Sequence, residues 1–354
     1  MSRVVSITGA SAGIGRATAL RLAREGHSLV LCARRRDRLD EVVAEVARLG
    51  ARAVPIAADV TREADMKALV AAAVNEFGRL DVMMCNAGFG IYGAIDRVPS
   101  DDMRRLFDVN YMGTYLAAQA AWPVFKRQNR GHLIVISSIV GKRGVPFMGP
   151  YSATKFAQVG LAECLRAEVE GSPIHVTVVF PISTETEFFD VMTRESGHAT
   201  RARGPRQSAD QVASAIARAI ERPVPEVFPH RLSRGLAVLN AVAPGFCDRL
   251  VKRWGRTPLP AAEGTELTEE TEIAERTGST WRTGGTERTG STPRTGGTEQ
   301  TGSTRRTGGT ERTDTIRKNA ETEAAVSTVS TRGNGEIDPT DSARKIGPNE
   351  ARRS

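Results

Sequence analysis

Residues 3–15 read RVVSITGASAGIG, and this stretch decides the fold. It opens on a β-branched run over residues 3–8 and then turns through three glycines, Gly9, Gly13 and Gly15. Helical periodicity begins at Ile14 and continues to residue 25, where Gly26 ends it. A strand, a glycine-rich turn and a helix in that order can cradle a phosphate. Gly9 permits the sharp turn, Gly13 lets the backbone approach a pyrophosphate, and Gly15 allows helix and strand to pack closely. The positive end of the helix then faces the phosphate, with Ser11 and Ile14 on the same turn.

The alternation continues along the chain. Apolar runs at residues 28–33 (SLVLCA), 53–57, 80–85 (LDVMMC), 131–137 (GHLIVIS) and 174–180 (IHVTVVF) read as strands, with a shorter one at 226–228. Helical patterns occupy 37–49, 63–77, 101–128, 151–170 and 212–221, and Pro123 is expected to kink the long one. Strands this apolar, alternating with helices, imply a parallel sheet buried on both faces. The expected fold is α/β, a doubly wound parallel sheet of Rossmann type.

Composition divides the 354 residues into two parts. Residues 1–256 are rich in Ala, Val, Leu and Arg and suit one domain. In residues 257–354 apolar side chains nearly vanish, and a twelve-residue repeat starts at Glu275, Glu287 and Glu299 (ERTGSTWRTGGT and variants). The repeat has no aliphatic residue, so stacking would bury almost nothing and disorder is expected. The net charge is +8, but the tail holds 14 basic against 16 acidic side chains. The positive charge therefore belongs to the domain. Its arginines are scattered, with no basic block interleaved with aromatics, so no nucleic-acid partner is expected.

Cys32, Cys85, Cys164 and Cys247 lie far apart, and the histidines lack metal-ligand spacing. No metal site is expected, and a reducing compartment, the cytoplasm, is the expected location. A strand pattern begins within three residues of Met1, so no signal peptide is expected. No apolar run reaches the ~18–20 residues that span a bilayer. Residues 232–254 form an apolar, amphipathic stretch broken at Pro244-Gly245. A packing role is expected for it, against the substrate pocket or at a subunit interface; peripheral contact with a membrane surface is the alternative.

Tyr151 and Lys155 stand four residues apart and so share one helix face. A free phenol has a pKa of ~10, and a nearby ammonium favours its phenolate. Ser137-Ser138 ends the fifth strand, and Ser138 precedes Tyr151 by 13 residues. Asn86-Ala87-Gly88 follows the fourth strand, Asp59-Val60 the third, and Asp108-Val109-Asn110 lies in the long helix. With the Gly-x-x-x-Gly-x-Gly spacing of the first turn, these features resemble the classical short-chain dehydrogenase/reductase family over residues 3–230.

The resemblance implies an oxidoreductase that moves a hydride between a nicotinamide and a carbonyl or secondary alcohol. It implies four catalytic residues: Asn110, Ser138, Tyr151 and Lys155. Tyr151 would exchange the proton, and Ser138 would hydrogen-bond the substrate oxygen. Lys155 would lower the phenol pKa and bond the nicotinamide ribose, and Asn110 would hold a water linking Lys155 to solvent. The turn at Asn86, Ala87 and Gly88 would flank the adenosine half, with Asp59 and Val60 at the adenine. Relatives usually pair through their two long helices, so a homodimer or homotetramer is expected. The alternative reading is a non-catalytic NADP(H) sensor, or a scaffold whose tail recruits a partner.

Two stretches refine this expectation. The second strand ends at Ala33, followed by Arg34-Arg35-Arg36. An acid there would bond the ribose 2′-hydroxyl of NAD, whereas a guanidinium can grip a 2′-phosphate. NADP(H) is expected over NAD(H), with Arg34 as main contact and Arg35 or Arg36 assisting. After the sixth strand the family often shows Pro-Gly and then a Thr at the nicotinamide amide; here the run is Pro181-Ile182-Ser183-Thr184-Glu185-Thr186. Ile182 does not readily take a positive φ, so a different loop course is expected. Thr186 best fits the later Thr, with Thr184 as the alternative. Residues 183–207 are expected to form a mobile polar loop, basic near its end (Arg201, Arg203, Arg206). Its Phe188, Phe189, Val191 and Met192 would fold over a lipophilic substrate, opposite Phe147 and Met148. Ser137 is expected to point away from the cleft.

Overall fold

Side chains alternate between the two faces of each strand, and here both faces are apolar. Val5, Ile7, Val82, Met84 and Ile134 enter one core; Val30, Met83, Cys85, Leu133 and Val135 enter the other. Each such fully buried aliphatic contributes about 1.5–3 kcal/mol, which makes a two-sided burial the stable arrangement. The structure is a computed structural model that describes residues 2–197, Thr200 and residues 204–255. The tail, its repeat and its expected disorder lie outside the described residues.

The sheet has seven strands: β1 (Val4–Thr8), β2 (Ser28–Ala33), β3 (Ala53–Ala57), β4 (Val82–Cys85), β5 (Gly131–Ile136), β6 (Ile174–Val179) and β9 (Glu226–Val227). Their order is β3-β2-β1-β4-β5-β6-β9, and every pair is parallel. Between them β7 (Ser183–Glu185) and β8 (Arg206–Ser208) form a separate parallel ribbon. Helices α1 (Gly13–Arg24), α2 (Arg36–Arg48) and α8 (Ala209–Glu221) supply one core. Helices α3 (Glu63–Phe77), α5 (Gly113–Gln128) and α6 (Gly149–Glu168) supply the other. The doubly wound parallel sheet expected from the sequence is therefore the observed fold.

The differences are local. The long helix is divided into α4 (Ser100–Phe107), a π-helical turn Asp108–Met112, and α5. The departure from α geometry thus lies upstream of Pro123, through which α5 continues. Helix α8 starts at Ala209, three residues before its periodicity does, because Ser208 caps it. The Ser208 hydroxyl accepts from Gln211 N at 3.1 Å, and Gln211 Oε1 accepts from Ser208 N at 3.0 Å.

Residues 183–207 also depart from the single mobile loop. They contain β7, helix α7 (Phe188–Ser196) and the start of β8; Arg201 and Arg203 lie outside the described residues. The ribbon pairs Ser183 with Arg206, a partnership too distant in sequence to leave a local pattern. The amphipathic stretch 232–254 is two helices, α9 (Arg231–Val242) and α10 (Pro244–Gly255). Among the described residues, no helix is long and apolar enough to cross a membrane.

Sheet order reverses at β1 and β4, which opens a crevice at their carboxyl ends. Thr8 and Asn86 join the two strands there. The buried Thr8 Oγ1 accepts from Asn86 N at 3.0 Å and Ala87 N at 3.1 Å. Asn86 Nδ2 donates back to Thr8 O at 2.9 Å and Gly9 O at 3.1 Å. Replacing Thr8 with Val strands two partly buried N–H groups. Urea unfolding of Thr8→Val is expected to show a loss of about 2–4 kcal/mol.

Candidate active site

The turn after β1 is built around missing side chains. Gly9 has φ +67°, and a Cβ there would lie 2.8 Å from Ala87 Cα. A Cβ on Gly15 would meet Gly9 O at 2.3 Å and Asn86 Nδ2 at 2.7 Å. Gly13, at φ +55°, faces the Thr186 side chain. The first residue before α1, Ala12, offers no side-chain cap, so the leading N–H groups of α1 stay available to an anion. This is a cradle of phosphate-binding form.

From it a cleft of about 750 Å³ extends across the crevice to Tyr151 and Lys155. Gly9, Ser11, Gly13, Ile14 and Arg34 line one end. Asp59, Val60, Asn86, Ala87, Gly88, Ser138 and Pro181 line it as well, and Thr186 lines it opposite Gly13. Two expected residues stand behind the wall instead. Gly15 packs beneath the turn, and Asn110 is fully buried.

The three arginines after β2 separate by environment. Arg34 lines the cleft beside Asp59, free of any salt bridge among the described residues. Arg35 also lines it, reaching Ser11 Oγ and Glu187 at 3.4 Å each. Arg36 pairs instead with Asp40 on its own helix at 2.8 Å. Burial raises the Asp59 carboxyl, but hydrogen bonds from Thr61 and the charges of Arg34 and Arg62 outweigh it, and its pKa falls.

Helix α6 carries Tyr151 and Lys155. Its buried face includes Tyr151, Lys155, Gln158, Val159 and Ala162. Burial pushes the Tyr151 phenol up, and a hydrogen bond with Ser138 draws it partly back. Burial brings the Lys155 ammonium down to about 7. Lys155 Nζ lies 5.6 Å from the centre of the Tyr151 ring and donates to Ile136 O at 2.9 Å and Gln158 Oε1 at 3.1 Å. Ser138 Oγ accepts from Val140 N at 3.3 Å and donates to Pro181 O at 3.5 Å. Ser137 turns the other way, its hydroxyl donating to Lys155 O at 3.0 Å.

Asn110 sits in the π-helical turn. Its side chain accepts from Phe89 N at 3.0 Å and donates to Phe89 O at 2.9 Å and Thr154 Oγ1 at 3.0 Å. Its main-chain carbonyl accepts from Gln158 Nε2 at 2.7 Å and Thr114 Oγ1 at 2.8 Å. Gln158 thus bridges the Asn110 carbonyl and the Lys155 ammonium, with one hydrogen bond to each. The sequence reading missed Gln158, although its place on the inward face of α6 marks a buried polar residue.

At the substrate end, Ile182 keeps a negative φ, since Asn129 and Phe147 are the non-glycine residues with positive values among those described. Thr184 is held inside the ribbon, donating to Ile182 O at 2.9 Å and accepting from Gln207 at 3.2 Å. Thr186 is the threonine that meets the glycine turn. Phe188, Phe189, Val191 and Met192 all line the cleft, and the Phe188 ring lies 5.5 Å from that of Tyr151. Met148 lines it too. Phe147 does not; at φ +64° its ring meets Tyr92 at 5.7 Å and its carbonyl accepts from Gly93 N at 2.8 Å. Leu232, Leu236 and Leu250 bring α9 and α10 to the mouth, anchored by Arg143 on Asn240 (3.1 Å) and Asp248. No cluster of three or more metal-ligating side chains occurs among the described residues.

The family model for short chain dehydrogenases matches residues 3–196. This chain belongs to the short chain dehydrogenase family. An uncharacterized oxidoreductase of Listeria monocytogenes is 35% identical over 227 residues, covering 63% of this chain and 92% of that protein. Dehydrogenase/reductase SDR family member 7B of Bos taurus is 36% identical over 261 residues, 70% of this chain and 80% of its own. A Burkholderia phymatum short chain dehydrogenase/reductase in complex with NAD superposes with TM-score 0.63 at 27% identity, covering 73% of this chain and 98% of that structure. An alcohol dehydrogenase of Thermococcus sibiricus, complexed with 5-hydroxy-NADP, gives 0.58 at 26% identity, with coverage of 64% and 96%.

The lowered Lys155 pKa has a consequence for stability. Between about 7 and the ordinary lysine value of 10.5, the unfolded chain holds a proton that the folded one has released. Stability contributed at this position therefore rises with pH across that window. The unfolding free energy of wild type minus that of Lys155→Met is expected to rise as pH is raised from 7 to 10, and a flat value would contradict the burial of a titrating lysine.

Proposed function

We propose that the protein is an NADP(H)-dependent oxidoreductase that interconverts a carbonyl and a secondary alcohol on a lipophilic substrate. One observation carries this reading. Tyr151, Ser138 and Lys155 meet at one end of a continuous cleft whose other end is an uncapped helix terminus lined by glycines. The residues fit a dinucleotide: added Cβ atoms at Gly9 and Gly15 would intrude on neighbouring atoms, which accounts for the glycines there. The Gly9–Gly13 turn and the start of α1 would hold the pyrophosphate. Asp59 and Val60 would flank the adenine, with Asn86, Ala87 and Gly88 beside the adenosine. Lys155 would reach the ribose nearest the nicotinamide, and Thr186 and Pro181 would stand at its amide.

When bound, the nicotinamide supplies or accepts the hydride. The chain handles the proton. Tyr151, with its pKa raised by burial, keeps its phenolic hydrogen at neutral pH and donates it to the substrate oxygen during reduction. Ser138 orients that oxygen and shares the developing negative charge. A charged Lys155 favours the phenolate left behind. In alcohol oxidation the proton returns to Tyr151. Asn110 serves as a positioning residue, fixing the Phe89 backbone and the Thr154 side chain of α6.

Arg34 supports the choice of NADP(H), since it lines the cleft without a salt bridge among the described residues, and Arg35 lies close enough to assist. Phe188, Met148, Met192 and the α9–α10 leucines support an apolar substrate. Exposed Tyr115 on α5 and Phe156 on α6 support self-association through those helices.

Tyr151→Phe is expected to lower kcat by at least a factor of about 10², with NADPH affinity by fluorescence titration nearly unchanged. Retained turnover would remove the assigned proton donor. Arg34→Ala is expected to weaken NADPH by about 10-fold or more and NADH little, a charge-assisted bond being worth ~1.5–3 kcal/mol. Equal weakening of both would show that Arg34 does not read the 2′-phosphate.

A further inference from the structure

Gln158 is a fully buried amide with all of its polar groups engaged. Its orientation is fixed by chemistry. The Asn110 main-chain carbonyl can only accept, so Nε2 must face it, at 2.7 Å. The second Nε2 hydrogen goes to Thr114 Oγ1, also at 2.7 Å, and Thr114 passes its own proton to the same Asn110 carbonyl. The amide oxygen is thereby left pointing at Lys155 Nζ, 3.1 Å away. Ile136 O accepts a second ammonium hydrogen at 2.9 Å. Two of the three ammonium hydrogens are thus spent behind the cleft, and one remains for its interior.

We propose that Gln158 is a positioning residue for the proton chemistry: its amide oxygen orients the Lys155 ammonium and favours its charged form, and its amide nitrogen, anchored on the Asn110 carbonyl and Thr114, fixes the direction of that oxygen. The proposal rests on the oxidoreductase reading for its effect on turnover, but the contact itself does not. Burial alone drives Lys155 toward neutrality, and no acidic side chain bonds it among the described residues. A neutral acceptor pointed at the ammonium opposes that drift without the desolvation cost of a second buried charge.

The surroundings isolate the effect. The titratable group facing Lys155 on α6 is Tyr151; β5 presents a carbonyl, and the segment after β4 presents Gly88. Of the other charged or titratable groups lining the cleft, Arg105, Arg143 and Glu187 are paired with Glu195, Asp248 and Arg35, while Arg34, Asp59, Arg194 and His230 line it as well.

The test uses the full-length protein with Gln158→Leu and Gln158→Glu. The Lys155 ammonium is followed by ¹⁵N NMR titration without cofactor, and kcat is profiled against pH with NADPH and a carbonyl substrate. Gln158→Leu removes the acceptor and is expected to move the Lys155 titration and the alkaline limb of kcat down by about one pH unit or more. Gln158→Glu keeps an oxygen toward Lys155 and is expected to move the titration upward. Should the leucine variant fail to fold, the glutamate variant decides alone. Wild-type titration in every folded variant would overturn the proposal. Shifted titrations in a protein whose wild type turns nothing over would refute the oxidoreductase reading and leave the role of Gln158 standing.

Discussion

The ends of β1 and β4 must lie within hydrogen-bonding reach of each other, and the functional geometry hangs from that junction. Thr8 and Asn86 hold it with four hydrogen bonds to backbone groups. Because Asn86 also bonds Gly9 O, the strand pairing sets the course of the glycine turn. That turn in turn fixes where α1 begins, since Gly15 leaves no room between Gly9 O and the helix. A sheet interaction is thereby converted into the position of a helix terminus, and a helix terminus is where an anion gains most from the peptide dipoles.

The Tyr151–Lys155 end obeys a different constraint, desolvation. Tyr151 and Lys155 share the inward face of α6, and burial disfavours the charged form of each. The phenol is pushed up and the ammonium down, so their charges at neutral pH depend on a few oriented dipoles. Ser138 supplies one to the phenol, and Ile136 O and Gln158 supply two to the ammonium. The Asn110 carbonyl, set in a π-helical turn, completes the scaffold by fixing the Gln158 amide.

What the sequence revealed was chiefly local. Period-two and period-3.6 patterns located the strands and most helices, because burial acts on neighbours a few residues apart. The glycine turn and the Tyr151–Lys155 pair were legible for the same reason. What stayed hidden depends on distant partners: the β7–β8 ribbon, the docking of α9 and α10 through Arg143, and the contact of Gln158 with Asn110 across two helices. The choice between Arg35 and Arg36 was likewise beyond reach, since it turns on whether Asp40 or Ser11 is the nearer partner. Phe147 was misplaced because nothing in its neighbourhood announces a left-handed backbone.

The segment around α7 touches both ends of the cleft. Thr186 rests on Gly13 and Glu187 meets Arg35, while Phe188 covers Tyr151 and Met192 fills the space over Gly90. An element so placed cannot answer one occupant in isolation. A molecule at either end that changed the free energy of this segment would change affinity at the other end by the same factor, since such coupling is reciprocal. Affinities at the two ends are, on this architecture, conditional quantities, each meaningful only when the occupancy of the other is stated.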